Sequence, residues 1–134
     1  MQKDEIKLIN NLNIKKNILQ MFGNDKKLFF LYKNARALIY PSKYEGFGLP
    51  VLEAMASNCP VICSNASSLS EVGGDSVQYF DPYNLDEMND VINATIYSDD
   101  KLGELKKKGE IQSKLFSWDK CSSETLNIYK DLLC

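Results

Sequence analysis

The sequence predicts an α/β fold, a Rossmann-like parallel sheet with helices on both faces that closes in a run of C-terminal helices. Three observations predict it. Short apolar runs at 36–40, 60–64 and 76–81 alternate with amphipathic stretches. These runs are nearly continuous in apolar character rather than alternating, as strands buried on both faces are. Beyond Pro82 the pattern is wholly helical.

Taken in order, 17–22 reads as a strand and 25–34 as a helix, with Asn24 or Asp25 near its cap. Residues 36–40 (Arg-Ala-Leu-Ile-Tyr) form a β-prone run that Pro41 stops. Residues 51–57 are helical, with Pro50 placed in the first turn. The next strand is 60–64, and 69–72 is a short helix ended by Gly73 and Gly74. Residues 76–81 make a last strand, stopped by Pro82. Asn84 followed by Glu87 is a capping-box spacing, after which Leu85, Met88, Ile92 and Thr95 or Ile96 share one face. A second helix is expected over about 100–116, weakened by Gly103 and Gly109. Ser117 caps a third, on which Trp118, Cys121, Thr125, Ile128 and Leu132 repeat at helical spacing. That stripe reads as buried, either core or an interdomain contact, and not as a cofactor box.

The chain is 134 residues long, which suits one domain spanning 1–134. A formal net charge of −2 gives no nucleic-acid footprint, and Lys106, Lys107 and Lys108 read as a solvated helix face. No apolar stretch approaches a membrane span, and the Met-Gln-Lys-Asp-Glu start does not resemble a signal peptide. Cys59, Cys63, Cys121 and Cys134 form no Cys-x-x-Cys pair and have no histidine partner, so idle thiols in a reducing cytoplasm are expected rather than a zinc site. Histidine is absent, and with it the commonest general base. No Asp-x-Asp pair is present to hold a divalent ion on a diphosphate. Phosphate recognition is therefore expected to rest on backbone amides and cationic side chains, with no metal and no cofactor.

The chemistry concentrates in a strand, loop and helix at 38–57. Gly46 and Gly48 flank Phe47 just before the helix that Pro50 opens. Such glycines admit close backbone approach, and the helix start supplies unpaired amides and partial positive charge, together an anion site. A plain tight turn explains a Gly-x-Gly about as often. Glu45 stands before the glycines and Glu53 in the first turns of the helix, where a carboxylate is also favourable on dipole grounds alone. Two carboxylates suit vicinal diols. A sugar nucleotide offers diols on both sides of a diphosphate.

The run Pro41-Ser42-x-x-Glu45-Gly46-Phe47-Gly48-Leu49-Pro50-x-x-Glu53-Ala54-Met55-Ala56 resembles the Glu-x7-Glu motif of family 4, or group 1, glycosyltransferases. Pro60-Val61-Ile62, Ser70-Glu71-Val72-Gly73-Gly74-Asp75, Phe80-Asp81-Pro82 and Phe116-Ser117-Trp118 follow in the family's order, so the resemblance covers about 25–133. It implies part of the C-terminal, donor-binding domain of a GT-B enzyme. It also implies transfer, with retained configuration, from a nucleotide-diphosphate sugar to a glycan or lipid acceptor. Glu45 is then the catalytic carboxylate nearest the reacting carbon. Gly46, Phe47, Gly48 and Leu49 hold sugar and diphosphate, Glu53 the ribose, and the loop near Gly23 the nucleobase. An N-terminal acceptor domain is expected from elsewhere, as are the family's early Arg and Lys on the diphosphate; Lys43 cannot be assigned their place. Polysaccharide assembly in the cytoplasm is the expected setting, with contact to the inner membrane surface only through that absent domain. The alternative is a non-catalytic nucleotide-sugar-binding module. A sugar-nucleotide epimerase or a phosphorylase is the third reading, weakened by the Glu-x7-Glu run.

Overall fold

A computed structural model describes residues 3–133. Helix α1 (Lys3–Asn11) leads through a 3-10 turn (Lys15–Asn17) and an irregular segment into α2 (Asp25–Asn34). Strand β1 (Leu38–Tyr40), helix α3 (Leu49–Ala56), strand β2 (Val61–Ser64), helix α4 (Leu69–Gly73) and strand β3 (Gln78–Phe80) follow. Three helices close the chain: α5 (Leu85–Ile96), α6 (Asp99–Ser113) and α7 (Trp118–Leu133).

The strands form one parallel sheet in the order β1-β2-β3. Ile39 stands opposite Ile62, and Cys63 opposite Tyr79. All four residues of the central strand β2 are buried, the reason its sequence shows no alternation. Successive side chains point to opposite faces. On one face Val61 and Cys63 join Tyr32 of α2, Val51, Ala54 and Met55 of α3, and Leu69 and Val72 of α4 in the main core. On the other, Ile62 and Phe80 are fully buried, and α5 lies against β3. Each such side chain contributes roughly 1.5–3 kcal/mol relative to an exposed one.

Helix starts follow their capping residues. Asn24 accepts from the Lys27 amide, Asn84 from that of Glu87, and Ser98 from that of Lys101. Glu87 reaches past its cap to the Asp81 amide, tying α5 to the end of β3. Helix α6 runs unbroken from Asp99 to Ser113 through both Gly103 and Gly109. A Cβ at Gly109 would press on Met55 Cγ at 3.2 Å, so this glycine admits α6 to close packing on α3.

One expectation is overturned and a second is narrowed. Residues 17–22 form no strand. Residue 17 ends the 3-10 turn and 18–22 are irregular, with Leu19 and Phe22 about four-fifths exposed. An apolar run becomes a strand only beside a ladder partner, and among the described residues β1 pairs with β2 alone. Of the two readings of the α7 stripe, the structure removes one: it is not core within the described residues. Trp118 is 80% exposed, and Cys121, Thr125, Ile128 and Leu132 are exposed with it. Its 3.6-residue period shows amphipathicity, but not what covers the apolar side. Helix α1, which the apolar pattern does not announce, buries no residue.

Candidate functional site at the carboxyl ends of the strands

The loop 41–48 leaves the carboxyl end of β1 and turns into α3, at the sheet edge where parallel α/β folds receive ligands. Its turn is made at Gly48, the N-cap of α3, with φ +107° and ψ 41°. A Cβ there would lie 2.6 Å from Leu69 Cδ2, so the glycine serves both the backbone angle and the approach of α4. Gly46 differs: no atom lies within 4 Å of its would-be Cβ, and the space beside it is open. Pro50 follows in the first turn of α3. Among the described residues the amides of Gly46, Phe47, Gly48 and Leu49 have no hydrogen-bond acceptor in the protein. Four unpaired N–H groups at a helix start are what an anion needs.

Neighbouring elements hold this loop. The Ser67 hydroxyl donates to the Glu45 carbonyl at 2.8 Å. The Ser68 hydroxyl lies 3.0 Å from the same oxygen and 2.9 Å from the Phe47 carbonyl. Ser67 takes the left-handed conformation at φ 55°, which aims this turn at the loop. Ser64, at the end of β2, donates to the Ser42 carbonyl. The Phe47 ring meets Phe116 edge-on, centroids 5.9 Å apart, and so joins the loop to the segment between α6 and α7.

Glu45 is half-buried, and its Oε1 accepts from the Tyr40 hydroxyl at 2.6 Å. Hydrogen bonding from Tyr40, with a smaller part from Ser42, holds its carboxyl below the usual range. Tyr40 is pushed up to about 12 by burial and then by Glu45, so it remains a protonated donor at neutral pH. Glu53 lies exposed on α3, its Oε2 3.5 Å from the hydroxyl of buried Tyr32. Tyr32 is likewise pushed up to about 12, by burial first and Glu53 second.

Gly23 lies before α2, in the wall of a cavity of about 320 Å³ with Met21, Phe22, Lys27 and Leu31. Lys27 folds over Gly23 and donates to the Phe22 carbonyl at 2.8 Å. None of the lining residues belongs to 45–53. The structure therefore brings Glu45 through Leu49 into one held loop. It links Glu53 to α2 through Tyr32 and leaves Gly23 in a separate wall at the far end of that helix. Lys43 stands over the Tyr83 ring, 4.9 Å from its centroid. Sequence reasoning did not find Tyr40, Ser67 or Ser68. Their only signal is position, one closing β1 and two preceding α4. Among the described residues no cluster of His, Cys, Asp or Glu is arranged to hold a metal, and no helix is long and apolar enough to cross a membrane.

Residues 1–112 match the family model described as glycosyl transferases group 1. O-antigen chain mannosyltransferase B of Escherichia coli is 44% identical over 106 residues, which is 79% of this chain and 28% of that protein. MMP alpha-(1->4)-mannosyltransferase of Mycolicibacterium hassiacum is 33% identical over 129 residues, 92% of this chain and 31% of that one. This chain thus spans about three-tenths of the length of these curated relatives. Among solved structures, sucrose-phosphate synthase from Thermosynechococcus elongatus superposes with a TM-score of 0.84 at 23% identity, covering 98% of this chain and 34% of that chain. TarM superposes with a TM-score of 0.80 at 23% identity, over 95% of this chain and 26% of that one. At that identity the superpositions speak for the fold, a parallel α/β sheet of the GT-B kind.

Proposed function

Because the chain belongs to the group 1 glycosyl transferases, we propose that its 45–53 segment receives a nucleotide-diphosphate sugar and serves as the donor side of a retaining glycosyltransferase. One observation carries the reading. Four unpaired amides at the start of α3 stand beside Glu45, a carboxylate held from outside the loop. The amides of Gly46, Phe47, Gly48 and Leu49 receive the diphosphate. As the nucleoside diphosphate leaves, negative charge grows where these dipoles point, and they require no reorganisation to meet it. Glu45 faces the sugar and favours the positive charge that develops at its reacting carbon. It stays ionised throughout and need not exchange a proton. Glu53 accepts from the ribose hydroxyls; the cavity beside Gly23, at the far end of α2, is not assigned to the donor. No metal is assigned: the amides stabilise the diphosphate, and its charge is met by the family's Arg and Lys from outside these residues.

The similar proteins named as mannosyltransferases support mannose as the transferred sugar, onto a glycan or lipid acceptor. The acceptor side of the cleft comes from outside these residues, so the chain alone binds donor without efficient transfer.

Calorimetry with GDP-mannose, GDP, UDP-glucose and UDP tests this directly. Binding of a diphosphate sugar that survives chelation of divalent ions and is weakened at least tenfold by Gly46→Ala supports the proposal. That substitution fills the open space beside the loop without disturbing the fold. A folded chain that binds none of the four sinks it.

A further inference from the structure

Glu45 is gripped at two levels. Its carbonyl is held by Ser67 and Ser68, from the loop that follows β2. That loop is itself anchored, because the next residue, Leu69, is fully buried and packs against Gly48. A held main chain does not hold a glutamate side chain, which keeps three rotatable bonds. What chiefly restrains the carboxylate, ahead of the smaller part from Ser42, is Tyr40, the last residue of β1. Its ring packs against the main core and its hydroxyl lies 2.6 Å from Glu45 Oε1, the length of a hydrogen bond to an ionised acceptor. A tyrosine has only two side-chain torsions, and this one stands on a strand. We infer that Tyr40 is a positioning residue for Glu45, fixing the carboxylate in place before any donor arrives. The inference rests on the role proposed above for Glu45 toward the donor sugar.

The second carboxylate of the pair supplies a comparison. Tyr32 lies 3.5 Å from Glu53 Oε2, at the limit of a hydrogen bond, and its ring belongs to the core. Tyr32 belongs to the same core that the Tyr40 ring packs against, so each glutamate is met by a tyrosine rooted in that core. Only the Tyr40 contact is short enough to fix a carboxylate.

The test uses the full chain with carbon-labelled glutamate, following the Glu45 carboxyl by NMR against pH in wild type, Tyr40→Phe and Tyr32→Phe. Tyr40→Phe keeps the ring and removes the donor, so the Glu45 midpoint rises; Tyr32→Phe leaves it in place. In the same samples Tyr40→Phe weakens GDP-mannose about tenfold, the scale of a lost hydrogen bond to a charged group. GDP, which carries no sugar, changes less than about twofold. An unchanged Glu45 midpoint in folded Tyr40→Phe overturns the inference. Equal loss for GDP-mannose and GDP also overturns it, since the effect would then be a general loosening of the loop. A raised midpoint, with GDP-mannose binding that Glu45→Gln leaves intact, refutes the donor role of Glu45 and reduces the contact to a structural one. No binding by wild type refutes the proposed function separately, and the titration alone then decides what Tyr40 does.

Discussion

Gly46 and Gly48 look equivalent in the sequence and are predicted to respond oppositely to alanine. Gly48 has φ +107°, beyond even the left-handed region that an L-residue visits, and α3 starts from it. Forcing a Cβ into that conformation costs about 1–3 kcal/mol. The new methyl would also meet Leu69 Cδ2 at 2.6 Å. Leu69 is fully buried, so its displacement repacks the core, at about 1–2 kcal/mol more. Gly48→Ala should therefore destabilise the chain by about 2–5 kcal/mol, a large share of the ~5–15 kcal/mol typical of a domain. In thermal unfolding the midpoint should drop by roughly 6–20 °C. Gly46→Ala, with open space and no positive φ, should stay within about 0.5 kcal/mol of wild type. Urea unfolding of the three proteins, fitted with a common slope, measures both numbers. Equal effects at the two positions, or a loss below about 1 kcal/mol at Gly48, would refute the argument from backbone angle and packing.

Three further outcomes follow from the same geometry. Asn84→Ala removes the cap of α5 and should cost about 1 kcal/mol by urea unfolding, with the Asp81–Glu87 contact left in place. In the native protein Cys121 should react readily with a thiol reagent. Cys59 and Cys63 should react only in denaturant, since both are buried and burial pushes the Cys63 thiol up to about 12; Cys134, outside the described residues, is replaced by Ser for this assay. Tyr32 and Tyr40 are raised from 10 to about 12, so their contribution to stability is complete below pH 10 and is lost as pH climbs through 12. Glu45, shifted the other way, contributes above the ordinary carboxylate range and loses that contribution as pH falls. Tyrosinate absorbance, with unfolding measured at each pH, checks the alkaline limb. Normal titration of every tyrosine would contradict it.

What was legible in the sequence was whatever the sequence determines locally. Strands β1, β2 and β3 were readable because each is a short apolar run bounded by Pro, Gly or a cap residue. Asn24, Pro50 and Asn84 act on the backbone within one turn of themselves. The 18–22 segment misled because strand formation is a property of a pair, and no apolar run carries the address of its partner. The α7 stripe stayed open between core and an interdomain contact for the same reason: periodicity shows a side but not a neighbour. At the site, Glu45 and its glycines stood out by type and spacing. Ser67 and Ser68 did not, because their role comes from β1 and β2 lying side by side, which brings the loop after β2 against Glu45, 22 and 23 residues earlier in the chain; Tyr40, five residues before Glu45, read only as part of the apolar run of β1. Side chains that hold a functional residue from a neighbouring strand leave no local pattern.

The exposure of α7 has a consequence for how the protein comes apart. A 16-residue helix with no buried residue draws little from tertiary packing, and an isolated helix of that length is marginal in water. It should fray on a timescale far shorter than that of global unfolding, while β2 and its surroundings stay shut. A trace of protease should therefore nick near the junction at 114–118 well before the sheet opens. The residual piece would end almost where the family match ends, at residue 112. The Phe47–Phe116 contact sits at that junction. A ligand that stiffens the 45–49 loop should slow the nick, turning a simple digestion time course into a report on occupancy some distance from the cut.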